Sequence, residues 1–240
     1  MSHAVGILPL AVAAGGGTID DVPAAGWVAA GVHLVQRSAP LVRALMGRRA
    51  AILLPTSPAF FTALGACDGR GTVLVNPLAA TPEIAHQLAD ADVGAVFTTT
   101  ALASRLPAGT PHVLLDDAPR TARVVLGADA PRDVDLVAHG GLRLEAEDDV
   151  PGRDEEAAIV YTSAMAGTPL GAILTHRNLI ANAHSTVAAA ALTPHDHSLA
   201  LLPFSHLFGL VVSGLAPLLA GGRRATSPPS PPYRRCSPPW

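Results

Sequence analysis

The sequence predicts an α/β fold: a parallel sheet with helices on both of its faces. Two observations carry that expectation. Between Ala50 and Leu115, short apolar runs alternate with segments of helical spacing. That is the pattern of successive βαβ units, whose crossover helices cover both faces of a parallel sheet. Second, apolar residues make up 49% of the 240 residues and mean hydropathy is +0.36, ample for a core buried on two sides.

Residues 1–24 carry little pattern. Trp27 to Met46 has helical apolar spacing through Val28, Val32, Val35, Leu41 and Leu45, and predicts one helix. Ala50–Leu54 predicts a buried strand. Ser57 then reads as an N-cap with Pro58 at the first helical position, and the helix runs to about Asp68, where Gly69 and Gly71 stop it. Thr72–Val75 is the next strand. Thr81-Pro82-Glu83 opens a helix as N-cap, proline and first-turn carboxylate. Gly94–Thr98 and His112–Leu115 are strands on either side of a short helix at Ala101–Leu106. Residues 116–156 are rich in carboxylates and read as a solvated connector rather than a Mg²⁺ site. Ala157–Val160 and Ala172–Leu174 are short strands, Leu179–Leu192 a helix, and Leu199–Leu202 a strand. Leu207–Leu219 is an apolar helix.

Composition excludes several functions. A formal net charge of −3 gives no electrostatic case for nucleic acid. Cys67 and Cys236 are the only cysteines, which excludes a disulfide framework or a thiolate metal site and suits a reducing, cytoplasmic setting. Val5–Ala14 resembles a signal peptide but lacks a basic segment before it. Ser198–Gly222 has no Asp, Glu or Arg and the length to span a bilayer. Pro203, Ser205, His206 and Pro217 make a strand, a turn and a buried helix the better account, so membrane insertion is disfavoured. His195-Asp196-His197 is a turn without distant ligands, and no metal site is expected there.

The chemistry concentrates in Tyr161–Asn178, YTSAMAGTPLGAILTHRN, between two strands. Hydroxyls of Thr162, Ser163 and Thr168, with backbone freed at Gly167 and Gly171, suit an anion. The helix opened by His176-Arg177-Asn178 adds a second anion-attracting end.

This stretch resembles the phosphate-binding signature of the AMP-forming adenylating superfamily, Tyr-Thr-Ser-Gly-(Ser/Thr)-Thr-Gly-x-Pro-Lys-Gly. Tyr161, Thr162, Ser163, Gly167, Pro169 and Gly171 match; Ala164, Met165, Ala166 and Leu170 do not. LTHRNL at Leu174–Leu179, AAILLPTSPAFFTAL, GTVLVNPLAATPEIAHQLADADVGAVF and PFSHLFGL at Pro203–Leu210 are similar to family stretches in the right order. The resemblance covers roughly Ala50 to Gly222 and implies a partial N-terminal domain of the acyl-adenylating fold over residues 1–222.

It also implies acid–CoA ligase chemistry. A carboxylate, in the first instance a fatty acid, attacks the ATP α-phosphate to give an acyl-adenylate and pyrophosphate; the thiol of CoA then displaces AMP. The ATP phosphates would meet Thr162, Ser163, Gly167, Thr168 and Gly171, with Mg²⁺ sharing the neutralisation of their charge but no metal ligand assigned, and His206 would lie on the acyl and CoA side. Leu170 stands where the family has a lysine, and all 16 basic residues of the chain are arginine. One lost charged donor can remove about 3 kcal/mol of transition-state stabilisation. The family's downstream Tyr-Gly-x-Thr-Glu is also missing, because Tyr161 and Tyr233 are the only tyrosines. The expectation is a chain truncated and inactive alone, whose partners, if any, are a small carboxylic acid and a nucleotide. The alternatives are a non-catalytic nucleotide- or partner-binding pseudo-enzyme and, behind it, a membrane or secreted protein. Arg223–Trp240, rich in Pro and Arg, reads as a disordered tail; its abrupt composition predicts a frame change near codons 222–226.

Overall fold

In the computed structural model, residues 7–67, 71–116, 119–127, 130–136, 154–162 and 168–226 are described. The chain opens with α1 (Ile7–Ala14) and a small hairpin, β1 (Thr18–Ile19) and β2 (Val22–Pro23), where the sequence shows little pattern. The single helix expected over Trp27–Met46 is two, α2 (Ala24–Arg37) and α3 (Ala39–Leu45). Pro40 lacks the N–H that would continue α2. The chain therefore breaks at Ser38, whose hydroxyl accepts from the Leu41 N–H at 3.4 Å and caps α3.

The alternation follows as expected: β3 (Arg49–Leu53), α4 (Pro58–Ala66), β4 (Thr72–Leu74), α5 (Thr81–Asp90), β5 (Val93–Thr98), α6 (Thr100–Ala103) and β6 (His112–Leu115). Two caps differ. The Ser57 hydroxyl donates to the Pro55 carbonyl instead of accepting from α4, and Ala80 occupies the cap position before Thr81. The acidic connector is partly structured, with β7 (Thr121–Val125) and β8 (Arg132–Asp135) forming an antiparallel hairpin. Its remaining residues 137–153 lie outside the described residues. Then come β9 (Glu156–Tyr161), β10 (Gly171–Thr175), α7 (His176–Ala189) and β11 (His197–Leu199). A π-helical segment, Phe208–Leu215, runs into α8 (Ala216–Leu219), and β12 (Arg223–Ala225) follows.

The large sheet has the order β10-β9-β4-β3-β5-β6-β7-β8. From β9 to β6 every pairing is parallel; β10 and the β7–β8 hairpin add antiparallel strands at the two ends. Alternation along β3 separates the faces. Ala50, Ile52 and Leu54 belong to the larger core with α2, α4 and α7, while Ala51 and Leu53 pack with Ile84 and Leu88 of α5 and with Leu102 of α6. The second sheet has the order β11-β12-β1-β2. Arg223–Ala225 fall in the tail when read from sequence, yet they form the strand that joins β1 to β11. Residues 227–240 of that tail lie outside the described residues. Ser198–Gly222 forms a strand, a turn and buried helical turns, and among the described residues no helix is long and apolar enough to cross a membrane.

Candidate active site: the β9–β10 loop and the groove beside it

β9 and β10 form an antiparallel ladder in which Gly171 faces Tyr161, Ala172 faces Val160 and Ile173 faces Ile159. The ladder closes the neck of the intervening loop. Both the N–H and the hydroxyl of Thr162 donate to the Leu170 carbonyl, at 3.0 and 3.3 Å. The Thr162 hydroxyl therefore spans the loop base, while Thr168 is exposed on the far rim. Leu170 projects into solvent with 74% of its surface exposed. Gly171 matters for packing, since a Cβ there would lie 2.9 Å from Cγ2 of Ile159 and 3.2 Å from Cζ of Tyr161. Its bare backbone leaves room for the Tyr161 ring, whose hydroxyl donates to Oδ2 of Asp90 at 2.5 Å. Burial first, then the Asp90 carboxylate, push the Tyr161 phenol well above its ordinary range and keep it protonated. On the other rim, Nε2 of His86 lies 3.3 Å from the Pro169 carbonyl.

The start of α7 is occupied by its own cap. The Thr175 hydroxyl accepts from the Asn178 N–H at 3.2 Å, and Oδ1 of Asn178 accepts from the Thr175 N–H at 3.1 Å. The donors expected to attract an anion at this end are in part satisfied within the chain. Beyond α7, Asp196 accepts from the Thr193 N–H at 2.6 Å and its hydroxyl at 2.9 Å, and these bonds hold its carboxyl below the usual range. That carboxylate closes a turn.

His206 is exposed, and its Nδ1 accepts from the Phe208 N–H at 3.2 Å, so the neutral ring carries its proton on Nε2. Beside it, α7 and the π-helical segment enclose a groove of about 310 Å³, walled by Leu174, Leu179, Leu207, Phe208 and Val211, with Asn178 and Asn182 on its rim. Of the residues expected at the phosphate site, Thr162 and Gly171 form the loop base, Thr168 is exposed on the far rim, and Ser163 and Gly167 lie outside the described residues. His206 lies outside the groove lining and adjoins it in sequence through Leu207. Two participants escape a reading by sequence, His86 and Asp90. They look like ordinary polar positions of an amphipathic α5, and nothing local marks them as neighbours of a loop far along the chain.

A family model for AMP-binding enzyme matches residues 41–239. The chain belongs to the AMP-binding enzyme family. It is 32% identical over 183 residues to a feruloyl-CoA synthase from Amycolatopsis sp, covering 73% of this chain and 33% of the synthase. A putative fatty-acid–CoA ligase from Mycobacterium leprae is 30% identical over 193 residues, covering 75% and 31%. A sulfoacetate–CoA ligase from Cupriavidus necator is 47% identical over 72 residues, covering 30% and 14%. The chain thus spans at most about a third of the length of these relatives, and the acids in their names differ. Two solved structures share the fold. The ATP-bound MatB of Rhodopseudomonas palustris superposes with a TM-score of 0.64 at 24% identity, covering 90% of this chain and 42% of MatB. Bacillus subtilis MenE in complex with ATP and magnesium ion gives 0.64 at 23% identity, covering 88% and 53%.

Proposed function

We propose that this chain is the phosphate- and acid-facing portion of an AMP-forming acid–CoA ligase, and that it holds the ATP phosphates at the β9–β10 loop. The observation that carries this reading is the loop base itself. A Thr162–Leu170 double hydrogen bond closes an antiparallel neck, and hydroxyl and glycine positions lie between its rims. Thr168, the hydroxyl of Ser163 and the backbone at Gly167 are the donors assigned to the phosphates; Gly171 supports them by admitting the Tyr161 ring. Bound Mg²⁺ would supply the cationic charge that Leu170 lacks. The acid is placed beside His206, with its apolar part in the groove of Leu174, Leu179, Leu207 and Phe208. That lining favours an apolar acyl group, a fatty acid included, over a small charged one.

A second reading, a nucleotide-binding protein without catalysis, is favoured by Leu170, a solvent-facing leucine where charge-assisted contact is wanted. Titration with Mg·ATP tests the site for both readings. Leu170 is exposed, so Leu170→Lys removes little packing and restores a cation. Its Mg·ATP affinity should rise about tenfold or more, the worth of one charged hydrogen bond. An affinity unchanged by this substitution would place the phosphates elsewhere.

A further inference from the structure

We infer that Asp90 and His86, on α5, are positioning residues for the phosphate loop, acting through Tyr161 and Pro169; the functional half of this inference rests on the reading proposed above. The two rims of the loop leave β9 at Tyr161 and return to β10 after Pro169. Each rim is tied to the same stretch of one helix. The Tyr161 hydroxyl donates to Asp90 at 2.5 Å and has the Gln87 carbonyl 3.4 Å away. His86 reaches the Pro169 carbonyl at 3.3 Å. The His86 and Tyr161 rings also meet edge to face, with centroids 6.1 Å apart and planes at 76°, so the two ties brace each other.

The sheet alone does not fix this geometry. β10 is the terminal strand of the large sheet, and β9 pairs with β4 only at Ala158 and Ile159, so the loop end of the hairpin, Val160–Tyr161 with Gly171–Ala172, has no further strand beside it to limit its twist. α5 is anchored independently, by Ile84 and Leu88 in the core on its face of the sheet. A phenol on a carboxylate is a charge-assisted bond, shorter and stronger than a neutral one. It joins a rigid support to the first residue of the loop. Gly171 completes the device, because a side chain there would displace the ring that makes the bond. The two rims of the loop are thus held from α5 as well as by the neck.

The test uses the full chain with Asp90→Ala, Asp90→Asn and His86→Ala. Asn keeps an acceptor for the phenol; Ala does not. The primary readout is amide hydrogen exchange of the segment 160–172, with the helices α2 and α4 as internal reference. Asp90→Ala and His86→Ala should each speed exchange in that segment about tenfold, the worth of one such bond, and leave the reference helices unchanged. Asp90→Asn, a neutral acceptor, should restore part of the protection, to a rate between those of Asp90→Ala and the parent. Unchanged loop exchange in Asp90→Ala, or an equal rise throughout the chain, overturns the inference. So does failure of Asn to rescue. Mg·ATP titration is read separately: affinity should fall about tenfold in Asp90→Ala and recover in part in Asp90→Asn. Faster loop exchange in a chain whose parent form binds no Mg·ATP would uphold the tie to α5 and overturn the phosphate reading instead.

Discussion

Arg224 holds a guanidinium inside an apolar core. Only 2% of it is exposed, and its charged carbon lies 4.5 Å from the centroid of the Phe204 ring, which itself packs on Phe60 and Phe61. Among the described residues Nε and both Nη atoms have no hydrogen-bond partner. Burial pushes its pKa down to about 9, against a smaller upward pull from Asp20. An apolar side chain of similar volume removes this penalty. Arg224→Leu is expected to stabilise the chain by about 2 kcal/mol at pH 7, with the lost cation–π contact offsetting part of the gain. The pH dependence has a definite sign. Below about pH 9 both states carry the proton and the full penalty stands. As pH rises through the folded value, the native state sheds a proton that the unfolded state keeps, so stability rises. Urea midpoints at pH 7 and pH 10 should therefore show a gain of about 1 kcal/mol in the parent that Arg224→Leu lacks. A variant no more stable than the parent would mean that Arg224 has a partner.

α2 and α4 approach so closely that each needs a glycine at the crossing. A Cβ on Gly31 would sit 1.9 Å from the Thr62 carbonyl oxygen, and one on Gly65 2.2 Å from that of Val28. Backbone cannot yield as a flexible side chain does, so Gly31→Ala or Gly65→Ala must push the helices apart at a penalty of about 3 kcal/mol. Gly26, in the same helix, has only Cγ1 of Val22 at 3.6 Å, and Gly26→Ala should be neutral or slightly stabilising, by about 0.5 kcal/mol. Thermal melts of the three variants check this; Gly31→Ala melting with the parent would refute the close crossing. The strands and helices of this half were readable because burial imposes a period on them, and β6 begins and ends where the pattern says. β7 and β8 were not. Their alternating exposed and buried residues include Arg123 and Asp133, paired at 2.8 Å across the hairpin, and such charges look like solvated loop until a partner strand is known. β12 hid for the same reason, with Arg223 and Arg224 at its start.

The β9–β10 loop, like the whole chain, is without a lysine. None of the chain's 240 residues is lysine, and its tyrosines are Tyr161, committed to Asp90, and Tyr233 in the segment after β12. The chain spans about a third of the feruloyl-CoA synthase it resembles. As a separate polypeptide it is expected to show no acid-dependent ATP–pyrophosphate exchange above a heat-treated control. Exchange that vanishes when the acid is withheld would refute that expectation. The loop was recognisable because glycines and hydroxyls at fixed spacing have few other uses. What the spacing does not carry is orientation. The rims at Tyr161 and Pro169 are tied to α5, a helix placed by tertiary packing, and no local pattern in Thr81–Asp90 announces it.

The place of β12 in the small sheet also bears on the order in which the molecule can be built. β1 pairs with β12, near the other end of the described residues, through Thr18 and Arg223 and through Ile19 and Arg224. β11 reaches the same sheet only through β12. The amino-terminal hairpin must therefore wait, unpaired on one edge, until nearly all of the described chain has been synthesised. Closing so long a loop brings a large entropic penalty and is intrinsically slow. The alternating units of the large sheet, by contrast, can assemble as they emerge. A growing chain should acquire its central sheet first and its seam last, and a protease acting during synthesis would find the β1–β2 hairpin open for most of that time.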